Sequence, residues 1–278
     1  MDLLIPKRLA TLGHPQRLAV FRLLMRRHPD RVPATELALA LDLKPNTLSN
    51  YVNALMQTGL VSQEREGTSL RYAIDMDVAR QTIDYLLLDC CRSRPEICAP
   101  SYGTSSVSAA HRPYNVLFLC TGNSARSIFA EAILRQIAGD RFHAFSAGTH
   151  PQPSINPITR EVLQHNGYDT ATLTSKHLSI FQGPDAPVFD FVFTVCDAAA
   201  NEDCPAWPNQ PVTAHWGLPD PVRVTGTHAQ QISAFRQVFD ALVQRLRRFA
   251  DLPFTSFDPV SLQRAIDDLA RLETKETV

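Results

Sequence analysis

From Pro6 to Arg27 the residues Leu9, Leu12, Leu18, Val20, Phe21, Leu23 and Leu24 recur at helical spacing, broken by Gly13-His14-Pro15, which predicts two helices. A short helix follows over Pro33 to Leu41, with Leu37, Ala38 and Leu41 as its apolar face. Asp42 to Asn46 turns the chain into a helix over Thr47 to Gly59, buried through Leu48, Val52, Leu55 and Met56 and stopped by Gly59. The period then shortens. Leu60 to Gln63 and Leu70 to Ile74 read as strands around the polar tip EREGTS, and Asp77 to Leu88 returns to helix. The order is helix-turn-helix followed by a β-wing.

Beyond Pro113 the pattern changes to uniformly apolar runs alternating with amphipathic stretches. Val116 to Leu119, Phe142 to Ser146, Phe189 to Val195 and Pro211 to His215 read as strands. Helices are expected after the first of these, carried by Ile128, Phe129, Ile133, Leu134 and Ile137, and over Pro157 to Asn166, Thr227 to Phe249 and Pro259 to Leu272. Such alternation predicts an α/β three-layer domain, a parallel sheet covered on both sides. Ligands in these folds bind beyond the carboxyl ends of the strands, where Cys120, Cys196 and Asp220 all fall. The expected division is therefore 1–91 for the helix-turn-helix unit, 92–112 for a Cys98-containing segment and a Ser/Ala/Gly-rich linker, and 113–278 for the α/β domain.

The stretch VLFLCTGNSARS carries the clearest chemistry. A buried strand ends at Cys120, Arg126 follows six positions later and helical spacing runs on from Ile128, so the backbone N–H groups of Thr121, Gly122, Asn123, Ser124, Ala125 and Arg126 are expected to face a concavity at a helix N-terminus. A tetrahedral oxyanion fits there. Gly122 admits close backbone approach, Asn123 tolerates a left-handed conformation and the Arg126 guanidinium binds two anion oxygens. The same field is expected to lower the Cys120 thiol pKa, with Ser127 as a hydrogen-bond partner of the thiolate. Asp220-Pro221, in a loop on the same rim, supplies a candidate general acid, although an Asp-Pro pair also makes an ordinary turn.

Composition narrows the setting. The chain has 278 residues, a net charge of −1 and no apolar run as long as a membrane span, from which a cytoplasmic location and no membrane partner are expected. Basic residues outnumber acidic ones over Met1 to Asn50, with the reverse over Ser101 to Val278. Six cysteines in a chain of this length do not resemble a secreted disulfide scaffold. Cys90, Cys91 and Cys98 form a soft ligand set suited to As(III), which takes three sulfurs, whereas Zn²⁺ prefers a fourth ligand. Cys196 and Cys204 raise a different question: eight residues of helix would separate them by about 12 Å, against about 5.5 Å between the Cα atoms of a disulfide. Bridging them requires a loop or local unwinding.

Residues Leu4 to Leu88, through LGHPQRLAVFRLL, LKPNTLSNYVNALMQTGLV and LRYAID, resemble the winged-helix repressors of the ArsR family. The resemblance implies a homodimer on palindromic operator DNA. It places Asn46, Thr47, Ser49, Asn50 and Asn53 on the helix that enters the major groove, and Lys44, Arg65 and Arg71 near phosphates. Members that sense arsenite carry a vicinal cysteine pair and a third cysteine after the final helix, which implies an arsenite inducer site at Cys90, Cys91 and Cys98.

From Tyr114 to about Leu272 the chain resembles the arsenate reductases built on the low-molecular-weight tyrosine phosphatase fold, through LCTGNSARS, FSAGTHP, DFVFTVCDAAANEDCPAWP and TAHWGLPDP. The resemblance implies arsenate bound in the loop, attack by Cys120 on arsenic with Asp220 assisting departure of water, and attack by Cys196 on the Cys120 sulfur with release of arsenite. A Cys196 to Cys204 disulfide then forms and is reduced by thioredoxin, or by glutaredoxin. No metal or organic cofactor is expected. Two other readings keep the same loop: a phosphatase fused to a DNA-binding regulator, and a regulator whose second domain only binds oxyanions.

Overall fold

The computed structural model describes residues 4–91, 112–183, 185–202, 207 and 211–271. The chain divides into two compact units, Met1–Gly103 and Thr104–Val278.

The first unit runs α1 (Leu4–Leu12), α2 (Pro15–Arg26), β1 (Val32–Pro33), α3 (Ala34–Ala40), α4 (Pro45–Gln57), β2 (Val61–Glu66), β3 (Ser69–Ile74) and α5 (Met76–Tyr85). Its core is Val20, Leu23 and Leu24 of α2 against Leu37, Leu48, Val52 and Leu55, closed by Leu60, Val61, Tyr72 and Ile74. α4 begins two residues earlier than its apolar period indicates, because Pro45 at the first helical position needs no N–H partner and is already held near helical φ. It ends where Gly59 adopts φ +76°. The wing has a third strand: β1 pairs antiparallel with β3, Val32 opposite Tyr72, and is too short to leave a periodic signal. After α5 the chain continues as a π-helical turn over Leu86–Cys90, closed by Cys91 N donating to Leu86 O at 3.0 Å.

The second unit is a four-stranded parallel sheet of β4 (Tyr114–Cys120), β5 (Phe142–Gly148), β6 (Phe191–Thr194) and β7 (Val212–His215) in the order β5-β4-β6-β7. Its helices are α6 (Arg126–Ala138), α7 (Pro157–His165), α8 (Asp197–Asn201), α9 (His228–Ala250) and α10 (Pro259–Ala270). Alternate residues of β4 face opposite cores. Val116 and Phe118 pack with Phe129, Phe235, Leu246, Phe249 and Ile266 from the long helices. Leu117 and Leu119 pack with Leu178, Phe181 and Phe189, so a 3₁₀ turn and its flanking loop supply apolar cover on that face. Trp216, fully buried, stacks on Phe193 at 4.3 Å and donates its indole N–H to Ile266 O, which fixes the chain leaving β7 against α10.

The strand order decides where a ligand binds. The connection from β4 goes to β5 on one side, and the next strand, β6, lies on the other side of β4. The crevice between the carboxyl ends of β4 and β6 is thus the topological switch point of the sheet. Cys120 is the last residue of β4, and Cys196 lies two residues beyond β6.

Candidate active site

The loop between β4 and α6 is held from outside by its own carbonyls. Cys120 O accepts from Thr149 N, Thr121 O from His150 N, Gly122 O from Gln152 N, and Ser124 O from Asn156 N and Thr159 Oγ1. With these carbonyls committed to the 149–159 segment, successive peptide units present their N–H groups to the opposite, concave side. Two of those groups address sulfur: Asn123 N lies 3.1 Å from Cys120 Sγ, and Thr121 N lies 3.3 Å from Cys196 Sγ. Asn123 has φ +41°. At Gly148 a Cβ would stand 2.5 Å from Thr121 O and 3.0 Å from the Asn123 Cβ, so only glycine allows β5 to approach the loop this closely.

Asn123, fully buried, is the fastener. Its Nδ2 donates to Ser127 Oγ and Ser146 Oγ, both at 2.8 Å, and its Oδ1 accepts from Lys176 N at 2.7 Å. Ser127 Oγ is in turn 2.9 Å from Cys120 Sγ. The chain of contacts runs on through Ser146 Oγ to the Glu131 carboxylate, which also accepts from Lys176 Nζ at 3.2 Å and pairs with Arg135. Glu131 is 2% exposed, so these cations compensate a carboxylate withdrawn from water. Neither Glu131 nor Lys176 stands out in the sequence, since an acidic residue in a helix and a lysine in a loop carry no motif. Only the fold brings them behind the loop.

The expected depression of the Cys120 thiol pKa is not what the site produces. Burial is the leading influence and pushes it up, and the neighbouring Cys196 pushes it up further, against opposing pulls from Ser127 and Arg126. At 3% exposure the loss of water outweighs the loop's positive end for an anionic sulfur.

Arg126 and Asp220, on separate elements of the chain, meet directly: Arg126 Nη2 is 3.0 Å from Asp220 Oδ2, and Nη1 donates to Leu218 O at 3.1 Å. Asp220 also caps the following turn, its Oδ1 accepting from Val222 N. Cys196 is 1% exposed and caps α8 through its sulfur, which accepts from Ala199 N at 3.4 Å and lies 3.5 Å from Thr121 Oγ1. The next residue, Asp197, is 3.1 Å from Nε2 of the fully buried His215, whose Nδ1 is 2.8 Å from Thr194 Oγ1. This His-Asp contact ties the start of α8 to the end of β7. The TAHWG string contained the histidine but nothing in spacing linked it to Asp197. α8 ends at Asn201 and Glu202 is extended, so the helix capped by Cys196 runs for only five residues. Cys204 and Cys98 lie outside the described residues.

In the first unit Lys44, Asn46, Ser49, Asn50 and Asn53 are exposed and Thr47 is half-buried, all at or along α4. Arg65 is exposed on β2. Arg71 is not a free cation: it pairs with Glu66 across the wing and reaches Arg31 O at 3.4 Å. Cys90 is exposed and Cys91 half-buried at the end of the π turn. No helix among the described residues is long and apolar enough to cross a membrane.

Comparison with known proteins supplies three findings. Residues 115–263 match the low molecular weight phosphotyrosine protein phosphatase family, and residues 12–64 match a helix-turn-helix domain. An arsenate reductase of Bacillus subtilis is 35% identical over 136 residues, 49% of this chain and 94% of that protein. One of Halalkalibacterium halodurans is likewise 35% identical over 136 residues, with the same coverage. Among solved structures, a thioredoxin-dependent arsenate reductase of Corynebacterium glutamicum is similar at 19% identity with a TM-score of 0.39, covering 78% of this chain and 92% of that one.

Proposed function

The chain belongs, through residues 115–263, to the low molecular weight phosphotyrosine protein phosphatase family, and we propose that it works there as an arsenate reductase joined to a DNA-binding repressor that responds to arsenite. The observation that carries the reading is the second thiol: Cys196 Sγ is in contact with Thr121, the residue after Cys120, at the switch point of the sheet. Hydrolysis of a phosphate ester needs one cysteine. Reduction needs a second one within reach of the first.

Arsenate enters the loop and draws Arg126 from Asp220 to its own oxygens. Cys120 Sγ attacks arsenic, an As–S bond forms and an As–O bond breaks. Burial raises the Cys120 thiol pKa, and in this reading the thiol proton goes to the departing hydroxyl, which leaves as water, with Asp220, freed from Arg126, as the proposed carrier. Cys196 then attacks Cys120 Sγ. The As–S electron pair stays on arsenic, which departs as arsenite, and a Cys120–Cys196 disulfide remains. Cys204 attacks Cys196, restoring Cys120, and a dithiol such as thioredoxin or glutaredoxin reduces the Cys196–Cys204 bridge. The end of α8 at Asn201 supports that last exchange, since little helix has to unwind. No metal or organic cofactor takes part.

Arsenite released in this way is the ligand of Cys90, Cys91 and Cys98 in the proposed repressor, and the exposed Cys90 and half-buried Cys91 at the end of a π turn offer sulfur to solvent. A second copy is the proposed partner of the first unit: α1 packs on α5, and Leu4, Ile83 and Leu88 are left exposed there, as a dimer face requires.

The purified protein should oxidise a reduced thioredoxin system in an arsenate-dependent way, and Cys204→Ser should turn over no more than once; absence of oxidation in the unaltered protein removes the reductase. The family's phosphatase chemistry remains the second reading, favoured by the Cys120, Arg126 and Asp220 constellation. Cys196→Ser separates the two, since it should abolish arsenate turnover and leave aryl phosphate hydrolysis intact.

A further inference from the structure

Between Pro45 and Gln57, α4 contains no Lys, Arg, Asp or Glu. Its buried stripe is Leu48, Val52 and Leu55. The opposite stripe, at steps of four, three and four residues, is Asn46, Asn50, Asn53 and Gln57, all exposed. These four carboxamides extend along about 16 Å of helix. The hydroxyl beside them, Ser49, is turned back onto Pro45 O at 2.9 Å. As the second helix of a helix-turn-helix pair, α4 is the element that such domains lay in the major groove.

A carboxamide offers one acceptor and two donors side by side. In the major groove adenine presents the matching pair, N7 as acceptor and the N6 amino group as donor, whereas guanine presents two acceptors, N7 and O6, that call for the two donors of arginine. A carboxamide set against guanine turns its own oxygen toward O6 or gives up one bond. Cationic help is sparse nearby: Lys44 and Arg65 are exposed, but Arg71 is paired with Glu66 and Arg31 with Glu64. Along α4 itself, which carries no cation, contacts to base edges are therefore what remains to specify sequence.

We propose that α4 reads adenines through Asn46, Asn50, Asn53 and Gln57, so that each operator half-site carries adenine at two or more of the major-groove positions facing this helix and none of its specificity there comes from guanine. The inference rests on the DNA-binding reading above.

The full chain is selected against a random duplex pool at fixed salt, and the recovered half-sites are resynthesised with 7-deazaadenine, which lacks N7, at the selected adenines. Adenine-rich half-sites are expected, with each 7-deaza replacement weakening binding about tenfold and Asn50→Ala flattening the preference at one base pair. Half-sites fixed by guanine, or indifference to 7-deazaadenine, overturn the adenine readout while leaving DNA binding in place. Failure to bind any duplex even at low salt removes the DNA-binding reading and this inference with it, and points to a protein as the partner of the face.

Discussion

Among the described residues Ser127 Oγ and Asn123 N both address Cys120 Sγ directly, and Ser127 pulls the thiol pKa down while burial and Cys196 push it up. Removing the hydroxyl should leave the upward influences unopposed at that point. In Ser127→Ala, iodoacetamide labelling of Cys120, followed peptide by peptide by mass spectrometry, should show its inflection displaced to higher pH by about one to two units, the equivalent of one hydrogen bond to a charged group. An unmoved inflection would mean that Ser127 does not stabilise the thiolate. Asp267 shows the opposite location for the same physics. Desolvation raises its pKa to about 6, with Gln263 Nε2 as its 2.9 Å partner. A carboxyl with a folded pKa above its unfolded one contributes most to stability below the unfolded value, near 4, and loses that contribution as pH rises to about 6. Asp267→Asn should therefore raise stability at pH 8 by on the order of 1 kcal/mol, with the gain vanishing near pH 4 in paired denaturant titrations.

At the scale of elements, the oxyanion loop takes its shape from a neighbour. The carbonyls of residues 120, 121, 122 and 124 are bound by the 149–159 segment, and β5 ends in a glycine against Thr121 O. Gly148→Ala should force the two apart by several tenths of an ångström or more, costing about 1–3 kcal/mol of stability and lowering arsenate turnover by tenfold or more while KM for the reductant stays unchanged. A variant with full turnover would show that the loop keeps its form without that approach. This dependence was only partly legible in the sequence. FSAGTHP marked the segment by resemblance, but hydrogen bonds from it to the loop follow from the parallel pairing of β4 with β5, which places Cys120 opposite Gly148. The raised thiol pKa escaped for a related reason: a strand-loop-helix string reveals donors and a dipole, and does not reveal how completely packing excludes water from the sulfur.

At the scale of the whole molecule, a helix-turn-helix domain and an arsenate reductase-like domain are joined in one chain, and the product of the second is the proposed ligand of the first. Arsenate, supplied with a reductant, should release the intact protein from operator DNA, whereas Cys120→Ser should respond to arsenite alone. Fluorescence anisotropy of a labelled operator measures both, and equal responses to arsenate would separate regulation from catalysis. In the wing Arg31 is paired with Glu64 and Arg71 with Glu66, so two of the cations that the sequence counts there already have acidic partners.

The sequence alone determined the two units and their kinds, because apolar period distinguishes amphipathic helices from buried parallel strands, and because a strand ending in Cys120 before a loop and Arg126 is itself a local arrangement. It also located α4, whose start the structure places two residues earlier, since the spacing of Leu48, Val52 and Leu55 is a property of one helix. Tertiary structure decided what depends on chain segments meeting. The Arg126–Asp220 pair, the approach of Cys196 to Thr121, the Asp197–His215 tie and the Asn123–Ser146–Glu131–Lys176 connection all join residues on separate elements. Their geometry arises from the strand order β5-β4-β6-β7, and so does the burial that sets the charge state of Cys120.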